Sequence, residues 1–208
     1  MVLKKTFWFL ILSFLVLMPS TARSKKPAGG IEVGGGITGC IGSYCEKGTP
    51  SWAASITPWV RISDSITAGF NFLYGNFSSD EFDSLSYYTL GIEIKYHFNI
   101  SSKLSFFLMG QLNYNTLMLY GNNDRNEDRD FSDLRATGPG LSAGTGLIFR
   151  ITSALYLGLD VRFTFPIWSE ACFTADEGRL CREPQDEEVK LDLYPFYAGI
   201  TIGYTFPE

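Results

Sequence analysis

Two segments of the chain place an acidic and a basic side chain two residues apart in otherwise apolar surroundings. The segment YYTLGIEIKYHF contains Glu93 and Lys95, and the segment LYLGLDVRFTF contains Asp160 and Arg162. In a strand, residues two apart project from the same face, so each segment would present an acid beside a base. Because isolated charges in a confined interior are costly, we expect these four groups to form ion pairs.

Four cysteines form the second group of residues that could carry chemistry: Cys40, Cys45, Cys172 and Cys181. In an exported chain two disulfides are the default, and we favour the local pairings Cys40–Cys45 and Cys172–Cys181 among the three connectivities. The alternative is a metal site built from all four thiolates. The spacing contains no CxxC unit, which makes this the weaker hypothesis.

One stretch begins like a calcium-binding loop, with Asp124, Asn126 and Asp128 at alternate positions. Such a loop then needs a glycine for its turn and a closing glutamate. Arg129 and Arg135 occupy those two positions. We therefore predict no specific metal site here, and nothing in the sequence points to a cofactor.

The N-terminus has the layout of a secretory signal peptide. Lys4 and Lys5 precede an apolar run at 7–18, and small residues follow as far as Ala22. This order is typical of a signal peptide, and the run is shorter than the ~20 apolar residues that a spanning helix needs. We expect residues 1–22 to be removed by cleavage after Ala22.

The exported part of the chain is acidic. Without Lys4 and Lys5 it keeps 15 basic and 22 acidic side chains, a net charge of −7, and its basic residues form no cluster. Proteins that bind nucleic acid need clustered Lys and Arg to neutralise phosphates. The composition therefore argues against a nucleic-acid partner.

Eight segments of the exported chain alternate apolar residues with small or polar ones. They are 30–39, 51–62, 66–75, 87–98, 104–115, 141–151, 155–165 and 198–208. A period of two over about ten residues is typical of β-strands, and no segment has a convincing helical pattern. Short connections alternate with long, charged ones. The long connections are 44–50, 76–84, 121–140 and 168–192. Eight antiparallel strands with short turns at one end and long loops at the other are the layout of an outer-membrane β-barrel.

The composition of the two strand faces indicates which face points into the barrel. One face is crowded with Leu, Ile, Val and Phe, and the other is rich in glycine, at Gly34, Gly36, Gly69, Gly75, Gly91, Gly144, Gly146, Gly158, Gly199 and Gly203. Exposed glycine weakens a strand, whereas small residues leave room in the narrow lumen of eight strands. We therefore predict that the apolar face points outward to lipid. Aromatic residues near the strand ends fit interfacial girdles, and these are Trp52, Tyr74, Tyr88, Tyr96, Phe98, Tyr114, Phe165, Trp168 and Tyr204.

This layout resembles the small eight-stranded outer-membrane barrels of Gram-negative bacteria, of the OmpA transmembrane domain, OmpX and OmpW type. The stretch GPGLSAGTGLIFRITSALYLGLDVRFTF (138–165) is similar to the paired-strand pattern of that group. The resemblance implies a barrel over 30–206, after a short segment at 23–29, in the outer membrane. It also implies that Tyr204 and Phe206 belong to an assembly signal for the barrel-insertion machinery. Family members usually end on the aromatic residue, whereas two more residues follow here.

Residue counting from the short turns places the charged side chains within the lumen. Glu93 and Arg162 come level with each other, as do Lys95 and Asp160, and these four form a mid-lumen band. Four further groups lie nearer the periplasmic mouth: Arg61, Arg150, His97 and Glu32. We predict a salt-bridged network that plugs the barrel, because eight strands leave little bore. The alternative is a gated pore lined by these charges.

Catalysis is not expected. His97 is the only histidine of the chain, and it falls near the periplasmic end. Two classes of eight-stranded outer-membrane enzyme, a lipid A deacylase and a palmitoyltransferase, resemble each other in using a histidine near the outer leaflet. We therefore interpret His97 as a lumenal hydrogen-bonding residue rather than a catalytic base.

The acidic residues concentrate in the long connections, at the end of the barrel that would face the exterior. They suit a solvated surface bridged by divalent ions to lipopolysaccharide, or a binding surface for an extracellular ligand. Two hypotheses follow. The first is a non-enzymatic barrel that acts structurally or through its loops in adhesion or ligand binding. The second is a small channel or uptake protein for ions or small apolar solutes.

Overall fold

The computed structural model describes residues 28–42, 48–79, 84–120, 133–175, 178–182 and 193–206. The predicted signal peptide at 1–22, most of the segment at 23–29, and the calcium-like stretch lie outside these ranges. Within the described residues, no helix has the length and apolar character required to cross a bilayer.

Ten strands make up the described part of the chain. They are β1 (Gly29–Ile41), β2 (Gly48–Ser63), β3 (Ile66–Ser79), β4 (Ser84–Asn99), β5 (Leu104–Tyr120), β6 (Asp133–Arg150), β7 (Leu155–Pro166), β8 (Glu170–Ala175), β9 (Gly178–Arg182) and β10 (Tyr194–Thr205). Hydrogen-bonded neighbours follow the order β5-β4-β3-β2-β1-β10-β7-β6, and β5 also pairs with β6. All of these pairings are antiparallel. The predicted eight-stranded barrel is therefore confirmed, and it is closed by β5 and β6.

The strands extend further toward the long connections than the alternation predicts. β6 begins at Asp133 rather than at 141, and β5 continues to Tyr120, so that the two strands pair over their whole common length. The segment 168–192, which we expected to be an irregular loop, contains the hairpin of β8 and β9 on the edge of β6. Beyond the lipid a strand no longer needs one apolar face, so period-two hydrophobicity does not mark its end.

Apolar side chains cover the outside of the barrel, as predicted. Ile92 and Leu112 are 60% and 62% exposed, whereas Glu93 and Asp160, one residue away from an outward position, are 1% and 2% exposed. An exposed apolar surface that continues around the whole barrel is compatible with lipid and not with water. The last strand follows the same pattern, with Ile200 and Ile202 facing outward.

The aromatic residues at the strand ends are mostly exposed or partly exposed on this outer surface. Ring pairs link neighbouring strands, with centroids 5.0 Å apart for Trp52 and Tyr74 and 4.9 Å apart for Tyr74 and Tyr88. Trp168 is the exception. It is 8% exposed and packs into the interior, because it lies in the irregular link between β7 and β8 where strand alternation is interrupted. Its assignment to a girdle is therefore wrong.

Candidate functional site

Five charged side chains from three strands meet in the middle of the lumen. Lys95 of β4 forms ion pairs with Glu32 of β1 and, over 3.1 Å, with Glu93. Glu93 Oε2 lies 3.6 Å from Nη1 of Arg162 on β7, and Arg162 also pairs with Asp160. We call these five residues the charge chain. Because β1, β4 and β7 are well separated around the barrel, the charge chain spans the lumen from wall to wall.

The charge chain is almost fully buried and holds three acids against two bases. None of its members is more than 7% exposed. Glu32 also accepts a hydrogen bond of 2.8 Å from the Tyr156 hydroxyl. The Lys95 ammonium lies 5.2 Å from the centroid of the Phe107 ring. Such contacts partly replace the water that these charges lose on burial.

The charged residues that were predicted for the lumen do meet there, but one of them, Lys95, has a different partner from the expected one. Glu93 meets Arg162, as their equal heights suggested, but Lys95 reaches Glu32 rather than Asp160. Glu32, which was expected near the periplasmic mouth, lines the cavity there and also belongs to the charge chain. The long, flexible Lys side chain can reach a carboxylate at another level, which counting residues along a strand does not reveal.

Large apolar side chains fill the lumen on both sides of the charge chain. The lower apolar layer, on the periplasmic side, consists of Trp59, Phe107, Met109, Ile148 and Tyr156. The upper apolar layer consists of Ala53, Leu73, Phe77, Leu85, Tyr87, Leu117, Leu119, Ala136, Trp168, Leu193 and Tyr197. These inward apolar side chains were not predicted, because the alternation assigned apolar residues to the outer face.

The sequence does indicate that Phe107 and Met109 point inward, although simple alternation of apolar and polar residues does not reveal it. Both residues interrupt that alternation and so resemble breaks in β5. Their inward side chains are in step with Gln111, and all three are at most 5% exposed. Strict counting by twos from Gln111 would have placed both residues in the lumen.

A network of amide and hydroxyl groups lines the wall beside the charge chain. Asn113 donates to Ser142 over 2.6 Å, and Ser142 lies 2.8 Å from the Thr164 hydroxyl. Asn115 donates to Asn113 over 3.0 Å. Further bonds join Asn71 to Thr57 and Tyr87 to Asn115. These bonds satisfy polar groups that would otherwise be buried without partners.

Glycine lets one ring of the lower apolar layer reach the charge chain. Gly203 of β10 is the cross-strand neighbour of both Glu32 and Tyr156. A Cβ atom at Gly203 would collide with the Tyr156 ring. The absence of that atom allows the Tyr156 ring to extend across β10, so that the Tyr156 hydroxyl donates its hydrogen bond to Glu32. Here glycine makes room for a neighbouring ring instead of leaving the lumen empty.

We expect Gly203→Ala to destabilise the barrel by about 1–3 kcal/mol, because the added methyl group forces the Tyr156 ring out of its place. The matched control is Gly110→Ala in β5, since a Cβ atom there would meet nothing within 4 Å. Urea unfolding of the two variants in lipid vesicles measures the difference. Equal unfolding free energies would contradict this role of glycine.

A cavity of about 70 Å³ opens at the periplasmic end, below the lower apolar layer. Arg61, His97 and Arg150, which the sequence placed at this mouth, all line it. His97 Nε2 lies 2.9 Å from the Thr67 hydroxyl. We call this cavity the periplasmic vestibule. His97 thus makes a hydrogen bond with a hydroxyl group in the wall of the vestibule.

The hairpin above the membrane carries a disulfide between Cys172 and Cys181, which are cross-strand neighbours in β8 and β9. Cys40 is also disulfide-bonded, and its predicted partner Cys45 lies outside the described residues. Glu170 is close to the Cys172–Cys181 sulfur atoms. Because these two sulfurs are bonded to each other, they cannot serve as thiolate ligands of a four-cysteine metal site.

A closed barrel with an apolar outside and a filled, charge-paired inside defines an integral outer-membrane β-barrel protein. The chain belongs to the outer membrane protein beta-barrel domain family, whose sequence pattern matches residues 8–178. It is a protein of the bacterial outer membrane, where it sits in lipid and lipopolysaccharide. No curated protein sequence matches it.

Solved structures with the same architecture support this assignment. The major outer membrane protein of Thermus thermophilus gives a TM-score of 0.66 at 12% identity, and Neisserial surface protein A gives 0.61 at 13% identity. Ail, the attachment invasion locus protein of Yersinia pestis, in complex with the heparin analogue sucrose octasulfate, gives 0.50 at 11% identity. Each comparison covers 88% of this chain and 100% of the other chain. At these identities the likeness shows the fold alone.

Proposed function

We propose that this protein is a closed, non-conducting and non-enzymatic barrel that acts structurally or through its extracellular end. The observation that carries the proposal is the charge chain across the lumen, from Glu32 through Lys95, Glu93 and Arg162 to Asp160. A hydrated pore would leave such groups in contact with water, whereas all five are almost fully buried.

The two apolar layers, which contact the charge chain through Phe107 and Tyr197, also support a closed lumen. Phe107 and Leu117, one from each layer, are 2% and 0% exposed. Ions cross apolar constrictions poorly because they must shed their hydration water. A solute crossing this barrel would therefore have to displace two packed layers and the charge chain between them.

The extracellular end offers the surface for a function of this kind. The two longest strands, β5 and β6, and the disulfide-bonded hairpin of β8 and β9 extend there. Acidic residues are concentrated in the connections at this end. We infer a partner that is basic, or that is bridged by divalent cations, as at a lipopolysaccharide surface. A polyanion such as the heparin analogue bound by Ail would be repelled by these connections.

The C-terminal strand supports assembly by the barrel-insertion machinery. Tyr204 and Phe206 are 42% and 53% exposed on the outer surface, with ring centroids 5.8 Å apart. Outward aromatic residues at the end of the last strand remain accessible to a recognising partner until the barrel is in the membrane. Both residues are therefore proposed as parts of the assembly signal.

One observation favours the second candidate function, a small channel. The hydrogen-bonded wall formed by Asn113, Asn115, Ser142 and Thr164 gives the upper lumen a polar side. If the rings opposite this wall moved, water could enter along it. The closed arrangement of the charge chain makes this the second choice.

Single-channel recording in planar bilayers tests the proposal. We expect the refolded protein to be silent over a range of voltages, and the double variant Glu93→Ala/Arg162→Ala to give reproducible steps, because it removes the link between β4 and β7. Arg135→Ala, in the exposed upper part of β6, is the control and should stay silent. Steps from the wild-type protein that neutralising Glu93 or Lys95 abolishes would overturn the proposal in favour of a channel.

A further inference from the structure

The periplasmic vestibule contains positive charges that the charge chain does not use. Arg61 and Arg150 line it together with His97. Among the residues that the structure describes, the Arg61 side chain has no ion-pair partner within 4 Å. Arg150 has only two long contacts with neutral oxygens, 3.4 Å to the Ser102 carbonyl and 3.5 Å to the Asn99 amide oxygen. Within the described part of the chain, neither guanidinium group therefore forms an ion pair with a carboxylate.

The acidic groups of the vestibule do not cancel these charges. Glu32 reaches the cavity, but its two oxygens are taken by Lys95 and by the Tyr156 hydroxyl. Asp64 is the remaining carboxylate in the lining, and it offsets one guanidinium group at most. Outside the charge chain, the lining groups thus carry two positive charges against one negative charge.

The lining also contains hydroxyl groups that can donate hydrogen bonds. The hydroxyl groups of Thr67, Thr152 and Ser153 border the cavity. Trp59 lies in the same wall. A concave site with two guanidinium groups, several hydroxyls and few free acceptors is suited to an anion, since guanidinium groups bind carboxylate and phosphate through paired N–H donors.

We propose that the periplasmic vestibule binds a small oxyanion, a phosphate or carboxylate group, that enters from the periplasm. The cavity volume of about 70 Å³ is several times the ~10–15 Å³ of cavity that holds one water molecule, which leaves room for a group of this size. Arg61 and Arg150 hold the anion, and the hydroxyls of Thr67 and Ser153 complete its hydrogen bonds. This site is at the opposite end of the barrel from the proposed functional surface and does not depend on it.

Titration of the refolded protein in a zwitterionic detergent with inorganic phosphate or acetate tests this proposal, with isothermal calorimetry as the readout. We expect saturable binding that weakens about tenfold or more in Arg61→Gln and in Arg150→Gln, since each substitution removes a charge-assisted hydrogen bond. Arg135→Gln, at the other end of the barrel, should bind like the wild type. The absence of saturable binding, or binding that both substitutions leave unchanged, would overturn the proposal.

A second arm distinguishes a free anion from a lipid headgroup. Phosphate binding is measured in nanodiscs of phosphatidylcholine alone and in nanodiscs that also contain phosphatidylglycerol. Equal affinity in both supports a free periplasmic anion as the occupant. Loss of phosphate binding only with phosphatidylglycerol supports a headgroup phosphate of the inner leaflet in the same site. Both arginine substitutions should weaken binding whether the occupant is a free anion or a headgroup phosphate, because both occupants would contact the same two guanidinium groups.

Discussion

Replacing Arg162 by Met should lower the free energy of unfolding by about 3–5 kcal/mol, the usual cost of removing one partner from a buried ion pair. Met fills a similar volume, so the loss is mainly electrostatic. The variant leaves Glu32, Glu93 and Asp160 buried with only Lys95 to balance them. Reversible urea unfolding in large lipid vesicles measures the change.

Arg135→Met is the control for this experiment, because Arg135 is exposed on β6 and does not belong to the charge chain. We expect it to change stability by less than about 0.5 kcal/mol. A further variant, Arg162→Met combined with Asp160→Asn, should recover part of the loss by removing one uncompensated carboxylate. If Arg162→Met were as stable as Arg135→Met, the charge chain would not be a buried, coupled unit.

The second large effect concerns the outside of the barrel. Ile92 lies on β4 about midway between Phe98 and Tyr88, and its side chain is 60% exposed. Replacing it by Arg should cost about 2–4 kcal/mol, the range for a basic side chain facing lipid at the bilayer midplane. In a protein whose outer surface met water, the same substitution would cost little.

Ile100 provides a matched control, because it is 63% exposed and lies in a short turn at the periplasmic end. Ile100→Arg should cost about 0–1 kcal/mol, as expected for a basic residue near the interface. The two isoleucines thus differ in membrane depth and not in exposure. Similar losses for both variants would contradict the orientation of the barrel in lipid.

The features that sequence reasoning predicted correctly are those with strict periodicity. Period-two alternation identified all eight barrel strands, and the glycine-rich face correctly assigned the apolar face to lipid. Residue counting from the periplasmic turns also brought Glu93 level with Arg162, whose side chains lie 3.6 Å apart. Such results follow from backbone geometry, which is nearly the same in every strand.

The features that were missed depend on side-chain reach and on the strands beyond the lipid. Lys95 extends to Glu32, and the Tyr156 ring crosses Gly203 to the same carboxylate, which no count of residues along one strand can show. Trp168 turns inward because the chain leaves regular strand geometry between β7 and β8. Sequence periodicity specifies the face on which a residue lies and does not specify its partner.

Side-specific labelling of single cysteines tests the closed lumen most directly. Thr67→Cys places a thiol in the periplasmic vestibule, and Thr164→Cys places one above the charge chain, where the native residue is 4% exposed. A bulky, charged thiol reagent is added from the periplasmic side of proteoliposomes. We predict that the cysteine at position 67 reacts and that the cysteine at position 164 does not. Labelling of both sites at similar rates would show an open path through the barrel and would contradict a lumen closed by the charge chain.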